Sequence, residues 1–260
     1  MTTLALRKYH GLGNDFLVAL DPVVIPGAAL ARRVCDRRRG VGADGLVVAR
    51  TEPFTFRLFN ADGSEAEMSG NGMRCLAHAA LDAGVVAEGV PVAVATPAGP
   101  RRFVIERCGP TSAWTDVEMG VAAIDGDAQR CNVGHGELAV RVGNPHLVVA
   151  GPDPAGVDVA TLGARLEVAV PGGQNVEFVT LGPGSDELTM RVWERGVGET
   201  EACGTGSVAA AVAFHHWGRV GAVVTVHQPG GPVAVRIDPD GATHLAGPSE
   251  HVADCTVRLP

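Results

Sequence analysis

Short stretches in which apolar and polar residues alternate dominate the chain, and this period of two predicts β-strands. The most regular are VPVAVATPAG (90–99), RRFVIER (101–107), ELAVRV (137–142), LTMRVWER (188–195), and the pair AVVTVH (222–227) and PVAVRID (232–238) around the turn QPGG (228–231). Three segments with Ala, Leu or Val at helical spacing predict helices at 28–38, at about 70–82 and at about 204–217. The pattern therefore predicts an α+β protein in which short strands surround a few apolar helices.

Two loops of similar sequence lie half a chain apart. EAEMSGNGMRC (65–75) and ETEACGTGSVA (199–209) share the pattern E-x-E-x-(Ser or Cys)-G-x-G, which aligns Ser69 with Cys203. A second pair, GNDFLVAL (13–20) and GNPHLVVA (143–150), follows the same order at nearly the same spacing. Two motifs in register indicate an internal duplication.

A duplicated chain of this kind predicts two pseudo-symmetric domains. We expect them at residues 1–118 plus 250–260 and at residues 119–249, with the last strand returning to the first domain. An active site shared by the two halves is expected in the cleft between them, where ligand sites are common.

Composition and charge narrow the classes of partner. Of the 260 residues, 46% are hydrophobic and 19% are charged, as in a soluble globular protein. The net charge of -8 disfavours phosphate backbones and anionic lipid, so we expect neither a nucleic-acid nor a membrane partner. No apolar run approaches the ~20 residues of a spanning helix, and the start MTTLALRKYHGLG does not follow the plan of a signal peptide. We therefore expect a cytoplasmic protein.

The sequence predicts no cofactor and no metal. Lys8 is the only lysine, and pyridoxal phosphate enzymes hold their cofactor through a lysine. Because Lys8 adjoins the first predicted strand rather than a glycine-rich phosphate loop, we expect no such cofactor. The six cysteines form no C-x-x-C pair, and the histidines at 215–216 lack further ligands at metal-site spacing. The cysteines are therefore predicted to be free thiols.

The duplicated loops place a Ser or Cys directly before Gly-x-Gly and a predicted helix. Exposed backbone N–H groups and the positive end of the helix dipole favour anions at such a position. A thiol there is expected to have its pKa lowered toward neutrality, and the N–H groups can bind a substrate carboxylate. Two such loops around one α-carbon predict a cofactor-independent, two-base racemase or epimerase.

Five motifs together resemble the diaminopimelate epimerase family almost from end to end. They are HGLGNDF (10–16), FNADGSEAEMSGNGMRC (59–75), GNPH (143–146), QNVEF (174–178) and ERGVGETEACGTGS (194–207). The resemblance implies two similar domains, each a β-barrel-like sheet wrapped around a central helix. It also implies interconversion of LL- and meso-diaminopimelate, for lysine and cell-wall precursor synthesis, without a cofactor and with a pair of cysteines. Members of the family often form homodimers.

The resemblance also assigns site residues. The catalytic positions are Ser69, Cys203, His146 and Glu194. The positions that bind the small amino-acid substrate are Asn14, Asn60, Gly70, Asn71, Asn144, Asn175, Glu194, Arg195, Gly204 and Thr205. In these assignments the asparagines hold carboxylates and amino groups, Arg195 is suited to a bidentate carboxylate contact, and His146 assists the acid–base pair.

Ser69 departs from the family, which has its first catalytic cysteine at this position. A hydroxyl is far less acidic than a thiol, so Ser69 is a poor source of the anion that removes a proton. Cys75 does not replace it, because six residues along a helix give a rise of ~9 Å and a different face.

Several interpretations of Ser69 are open at this stage. It is either a native, weaker acid–base group, a substitution that traps an inactive form, or the sign of altered chemistry on a related amino acid. A protein that binds an amino acid without turnover is a further alternative. Cys203 in an activating loop argues against simple binding.

Overall fold

The computed structural model describes residues 2–127, 136–151 and 153–259. Its packing divides the chain into two compact units, Met1–Val117 with Gly247–Pro260, and Glu118–Ala246. We call them unit 1 and unit 2.

Unit 1 contains seven complete strands, two helices and parts of two further strands, the eighth and the last of the chain, in its described residues. In chain order they are β1 (Thr3–Gly11), β2 (Asn14–Leu20), α1 (Ala28–Cys35), β3 (Gly45–Thr51), β4 (Phe54–Asn60), β5 (Glu65–Ala66), α2 (Gly70–Asp82), β6 (Val92–Thr96), β7 (Gly99–Arg107) and β8 (Ser112–Val121). Strand β8 continues into unit 2.

Unit 2 continues the chain with eight strands, two α-helices and one 3-10 turn among the described residues, before a last strand that returns to unit 1. They are β9 (Ala123–Asp127), β10 (Gly136–Val142), β11 (Asn144–Ala150), the 3-10 turn Pro154–Gly156, α3 (Val159–Glu167), β12 (Asn175–Leu181), β13 (Glu187–Glu194), β14 (Gly198–Thr200), α4 (Gly204–His216), β15 (Val223–Gln228), β16 (Gly231–Ile237) and β17 (Ala242–Arg258). The predicted strands and the predicted helices over α2 and α4 are all present.

The two units repeat one order of strand pairing. In unit 1, β1 and β2 form a hairpin, β2 pairs in parallel with β3, β3 pairs with β4, and β6 pairs with β7. In unit 2, β10, β11, β12, β13, β15 and β16 pair in the same sequence of antiparallel and parallel contacts. This repetition is what the duplicated motifs predict.

Each unit wraps its sheet around one central helix. Helix α2 packs against β1, β2, β3, β4 and β7, and α4 packs against β10, β11, β12, β13, β15 and β16. Almost every residue of each helix is buried, including all those from Gly204 to Ala211. A helix that is apolar all round is stable only when it is enclosed, and small Ala and Gly side chains let the strands approach closely. The N-terminus of each central helix therefore has a fixed position in its unit.

Helix α1 is shorter than the predicted range of 28–38. It ends at Cys35 because the carboxylate of Asp36 accepts hydrogen bonds from the backbone N–H groups of Arg38 (2.7 Å) and Arg39 (2.6 Å). An Asp side chain that binds nearby N–H groups competes with the helix for them. Arg37 and Arg38 are therefore outside the helix, although the predicted range included them.

Helix α3 is absent from the sequence predictions. Gly163 in its interior weakens the local helix signal, but the packing requires it. A Cβ added at Gly163 would lie only 2.4 Å from the Cβ of Trp193. None of the helices among the described residues has the length and apolar character needed to cross a membrane.

Candidate active site

Ser69 and Cys203 occupy the same position in their units, the N-cap of the central helix. The hydroxyl of Ser69 accepts a hydrogen bond from the N–H of Gly72 at 3.0 Å, and the Cys203 sulfur accepts one from the N–H of Gly206 at 3.4 Å. Both residues have extended backbone, as N-cap residues do. Each reactive atom thus lies at the positive end of a buried helix.

In each unit an arginine–glutamate pair joins the two strands that precede the N-cap residue. Arg57 donates to Glu65 through Nε at 2.7 Å, and Arg191 donates to Glu199 through Nε at 2.7 Å. The two pairs occupy equivalent positions, on β4 and β5 in unit 1 and on β13 and β14 in unit 2. The duplication therefore extends to the side chains that support the loops.

Two of the predicted substrate-binding amides in unit 1 are joined. The Nδ2 of Asn71 donates to Oδ1 of Asn14 at 3.1 Å, and the Nδ2 of Asn14 donates to Oδ2 of Asp44 at 2.7 Å. Arg74 donates from Nη2 to Oδ1 of Asn71 at 2.7 Å. These bonds fix the orientation of both amides. Asn60, at the end of β4, donates instead to the hydroxyl of Ser64.

Asp44 contacts the predicted site residue Asn14, and the sequence predictions did not include it. Besides binding Asn14, Asp44 accepts from Arg37, which also pairs with Asp15 at 2.7 Å. Lys8 completes the group at 2.8 Å from Asp15. Burial opposes ionisation of Asp15, but hydrogen bonds from Arg37 and Lys8 outweigh it and lower its pKa. The network holds the β2 end of the site rigidly.

His146 is enclosed between two polar groups of unit 2. Its Nδ1 lies 2.7 Å from Oε1 of Glu177, and its Nε2 lies 2.9 Å from Oδ1 of Asn144. The side chains of His146 and Glu177 are both fully buried. Glu177 was missed from the sequence, although a Glu in an otherwise apolar strand is a usable signal, because a buried carboxylate needs a partner.

The remaining predicted residues of unit 2 form a second group of contacts. Asn175 accepts from the backbone N–H of Arg195 at 2.9 Å and donates to the carbonyl of Pro145 at 3.2 Å. Glu194 accepts from the hydroxyl of Thr200 at 2.5 Å. The Arg195 side chain is exposed and donates to the carbonyl of Gly172.

Cys203 is buried, with 4% of its surface exposed. Burial raises its pKa well above the usual value, and the carboxyl groups of Glu194 and Glu177 raise it further. The hydroxyl of Thr205 and the N–H of Gly206 act in the opposite direction but are outweighed. The expectation of a lowered pKa was therefore wrong for Cys203, because desolvation and two carboxyl groups exceed the effect of the helix N-terminus.

Glu194 raises the pKa of this thiol more than Glu177 does. Burial of its carboxyl raises the pKa of Glu194, although hydrogen bonds from Thr200 and Cys203 and the charge of His146 act to lower it. Cys203 thus rests as a thiol that donates toward a carboxyl group, which is the proton-donating form of an acid–base residue.

Gln228 supports the Cys203 loop from the turn between β15 and β16. Its Oε1 accepts from the backbone N–H of Cys203 at 2.8 Å, and Gly230 donates to the carbonyl of Glu201 at 2.9 Å. The sequence indicated only the turn QPGG (228–231). This contact was unpredictable because its partners lie 25 residues apart.

The other cysteines of the described residues do not occupy the N-caps of the central helices. Cys75 is buried in α2, and burial raises its pKa to about 12. Cys35, Cys108 and Cys255 are also free thiols, whereas Cys131 lies outside the described residues. In the ranges that the structure describes, no group of His, Cys, Asp and Glu has the arrangement of a metal site.

Comparison with known proteins follows the same division of the chain. The family model for diaminopimelate epimerase matches residues 6–124 and 138–252. The diaminopimelate epimerase of Moorella thermoacetica is 40% identical, over 94% of this chain and 96% of that protein. The diaminopimelate epimerase of Desulforudis audaxviator is 42% identical, over 96% of this chain and 98% of that protein.

Solved structures share the fold at much lower identity. A phenazine biosynthesis protein of the PhzF family from Bacillus anthracis has a TM-score of 0.78 at 15% identity and covers 100% of both chains. A hydroxyproline epimerase from Agrobacterium vitis has a TM-score of 0.76 at 18% identity, over 99% of this chain and 93% of that one. These likenesses show the fold alone, whereas the family model and the curated relatives show that the chain belongs to the diaminopimelate epimerase family.

Proposed function

We propose that the chain is an isomerase that interconverts LL- and meso-diaminopimelate by moving a proton at one α-carbon. The observation that carries this proposal is the pair of equivalent N-cap groups, Ser69 and Cys203, each at the positive end of a buried helix. One group removes the α-proton and the other delivers a proton to the opposite face. No cofactor takes part in this scheme.

Cys203 acts as the acid. After the group at position 69 has removed the α-proton and the electrons of the broken C–H bond have moved into the substrate carboxylate, the S–H bond of Cys203 breaks as a new C–H bond forms on the opposite face of the α-carbon, and the sulfur is left as a thiolate. The hydroxyl of Thr205 and the N–H of Gly206 already contact the sulfur and stabilise this charge. In the reverse direction the thiol first transfers its proton to Glu194, whose raised pKa suits it to receive one.

The asparagines bind the charged groups of the substrate. Asn14 uses one hydrogen and one lone pair within the protein, and Asn175 does the same. An amide has two hydrogens and two lone pairs, so each retains one donor and one acceptor for a ligand. The N–H groups of the two helix N-termini and the guanidinium of Arg195 hold the carboxylates.

Ser69 makes the chain a slow or one-directional epimerase under this proposal. A hydroxyl donates a proton but forms the anion too rarely at neutral pH to remove one efficiently. The same observation favours the second candidate, a protein that binds the amino acid without turnover. Both candidates require the contacts of the asparagines, and only the first requires Cys203.

Proton exchange in D2O tests the proposal. The chain, its Ser69→Cys variant and its Cys203→Ala variant are incubated with LL- and with meso-diaminopimelate, and the α-proton signal is followed by NMR. We expect Ser69→Cys to exceed the parent chain by roughly 10²–10⁴-fold, which is the usual worth of one acid–base group, and Cys203→Ala to be inactive. If Ser69→Cys binds either isomer but never exchanges its α-proton, the chain is a binder.

We further propose that the chain works in the cytoplasm as a homodimer, in the synthesis of lysine and cell-wall precursors. The family resemblance supports this proposal. Light scattering of the purified chain measures the dimer directly, and a monomeric mass at micromolar concentration contradicts it.

A further inference from the structure

The two central helices occupy equivalent positions in their units but differ in charge at their fifth residue. Both α2 and α4 are 13 residues long and begin directly after the reactive N-cap residue. The fifth residue is Arg74 in α2 and Val208 in α4. Both side chains are fully buried. Unit 1 thus places a cation inside the helix end where unit 2 places an apolar side chain.

The strands around the two helices also differ in charge, and here unit 2 has the charged residues. Glu194 ends β13 and Glu177 is the third residue of β12, and both carboxyl groups act on the Cys203 thiol. The equivalent last residue of β4 is Asn60, and the third residue of β3 is Val47. Unit 2 therefore surrounds its N-cap with acidic groups that unit 1 lacks at the same positions.

Arg74 has no carboxylate partner in the part of the chain that the structure describes. Its Nη2 donates to Asn71, while Nε and Nη1 have no hydrogen-bond partner among those residues. Gly11 packs over the guanidinium so closely that an added Cβ would lie 2.8 Å from Nη2. A buried cation without a counter-ion is costly to fold, so its presence calls for a function.

The acidic groups near this helix are neutralised elsewhere. Asp15 is paired with Lys8 and Arg37, and Asp44 with Arg37. The titratable group that affects the pKa of Arg74 is Cys75, the next residue of α2. Burial lowers the pKa of Arg74 to about 10, which leaves it positively charged at neutral pH. Unit 1 thus holds a cation behind its N-cap that pairs with no carboxylate of the described residues.

We propose that Arg74 is a positioning residue. Its positive charge makes position 69 the member of the acid–base pair that carries the negative charge, while Cys203 stays protonated. Arg74 acts through Asn71 and through its charge behind the α2 N-terminus. The pair then rests with its proton on Cys203 and its negative charge at position 69 whenever that side chain can ionise.

For turnover this inference rests on the proposed function, and it assigns removal of the α-proton to position 69. A thiolate at position 69 takes the α-proton, forming an S–H bond as the C–H bond breaks and its electrons move into the substrate carboxylate. Cys203 then gives its proton to the other face. Because the Ser69 hydroxyl does not ionise at neutral pH, the charge of Arg74 has no anion to stabilise there. Position 69 then carries no base that can remove the α-proton.

Thiol alkylation tests the inference without substrate. The variant Ser69→Cys is treated with iodoacetamide between pH 5 and pH 10, and peptide mass spectrometry gives separate rates at positions 69 and 203. We expect the thiol introduced at position 69 to titrate below the ordinary value of about 8.5 and below Cys203. Titration at or above Cys203 overturns the inference, whether or not the epimerase activity is found.

A second pair of variants isolates Arg74. Ser69→Cys/Arg74→Met removes the charge, and Ser69→Cys/Arg74→Lys keeps it as the matched control. We expect alkylation at position 69 at pH 7 to fall roughly tenfold with Met, the effect of about one pKa unit, and to stay within about twofold with Lys. The rate at Cys203 should not change. Equal rates in the folded Met and Arg proteins overturn the inference, and the single variant decides it if the Met protein does not fold.

Discussion

At the scale of single residues, the environment of Cys203 shows how burial and charge compete with a helix N-terminus. The N–H of Gly206 and the hydroxyl of Thr205 contact the sulfur, yet the thiol is held protonated by desolvation and by Glu194 and Glu177. Such a thiol is in the protonated, proton-donating form at neutral pH, and it becomes a base only after its proton has moved to a neighbour. The pKa of Cys203 is thus a measurable property of the proposed mechanism.

Removing one carboxyl group is expected to make Cys203 more acidic. In Glu194→Gln the charge that raises the thiol pKa is lost, so alkylation of Cys203 at pH 8 should accelerate by roughly three- to tenfold. Glu201→Gln is the matched control, because Glu201 is an exposed glutamate two residues from Cys203 and should leave the rate unchanged. A rate in Glu194→Gln no faster than in the control would show that Glu194 does not raise the thiol pKa.

The glycine that follows Cys203 by three residues is also constrained. A Cβ at Gly206 would lie 2.7 Å from Oε1 of Glu177, which is held by His146, whereas at Gly72 the nearest atoms are at 3.3 Å. Gly206→Ala should therefore lower the free energy of unfolding by about 1–3 kcal/mol, and Gly72→Ala by less. Urea denaturation of both variants measures the difference. Equal losses would contradict the close approach of Glu177.

Motifs predicted some site residues, and the rest depended on distant contacts. Ser69, Cys203 and His146 lie in short motifs whose residue types already indicate chemistry. Asp44 and Gln228 act only through partners far away in sequence, Asn14 and Cys203. A sequence pattern does not contain such contacts, because they exist only once the strands are paired.

At the scale of elements, the central helices were predictable and the peripheral helices were less so. Helices α2 and α4 are rich in Ala and other apolar residues at helical spacing, so local propensity and burial agree. In α1 a single Asp36 side chain overrides propensity, and in α3 the packing of Trp193 demands a glycine that propensity disfavours. The errors of prediction thus lie where tertiary contacts decide the local structure.

The packing of α3 gives a test at this scale. Because the added Cβ in Gly163→Ala would lie 2.4 Å from Trp193, we expect a loss of about 2–3 kcal/mol in the free energy of unfolding, despite the better helix propensity of Ala. Gly156→Ala is the control, since no atom lies within 4 Å of its added Cβ. Denaturant melts of both variants compare them. Stabilisation by Gly163→Ala would show that Trp193 moves aside at little cost.

The opposite end of α2 contains a buried histidine that links stability to pH. His78 is fully buried, with Nδ1 3.1 Å from the hydroxyl of Ser249, and burial lowers its pKa below 6.5. The unfolded chain binds a proton at His78 more readily, so stability is present above about pH 6.5 and decreases as the pH falls from there toward the folded pKa. His78→Leu should reduce the loss in melting temperature between pH 7.5 and pH 5.5. The exposed His216→Gln should not, and equal losses in both variants would contradict this role of His78.

At the scale of the whole molecule, the two units share one order of strands but place groups of opposite charge around their central helices. The duplicated motifs predicted the repeated strand order and the two N-caps. They did not predict that Arg74 in one unit and Glu177 and Glu194 in the other distinguish the two copies. This difference suits an enzyme whose two acid–base groups hold one proton between them.

The position of the first deuterium, in the product or in the remaining substrate, tests the two-base account most directly. The variant Ser69→Cys is mixed with LL-diaminopimelate in D2O, and the reaction is stopped when only a few per cent has been converted. The account predicts that the meso product carries deuterium at the inverted α-carbon while the remaining LL substrate keeps its protium, because a different group supplies the new hydrogen. Product that retains the original protium, or substrate that exchanges without inversion, would contradict it.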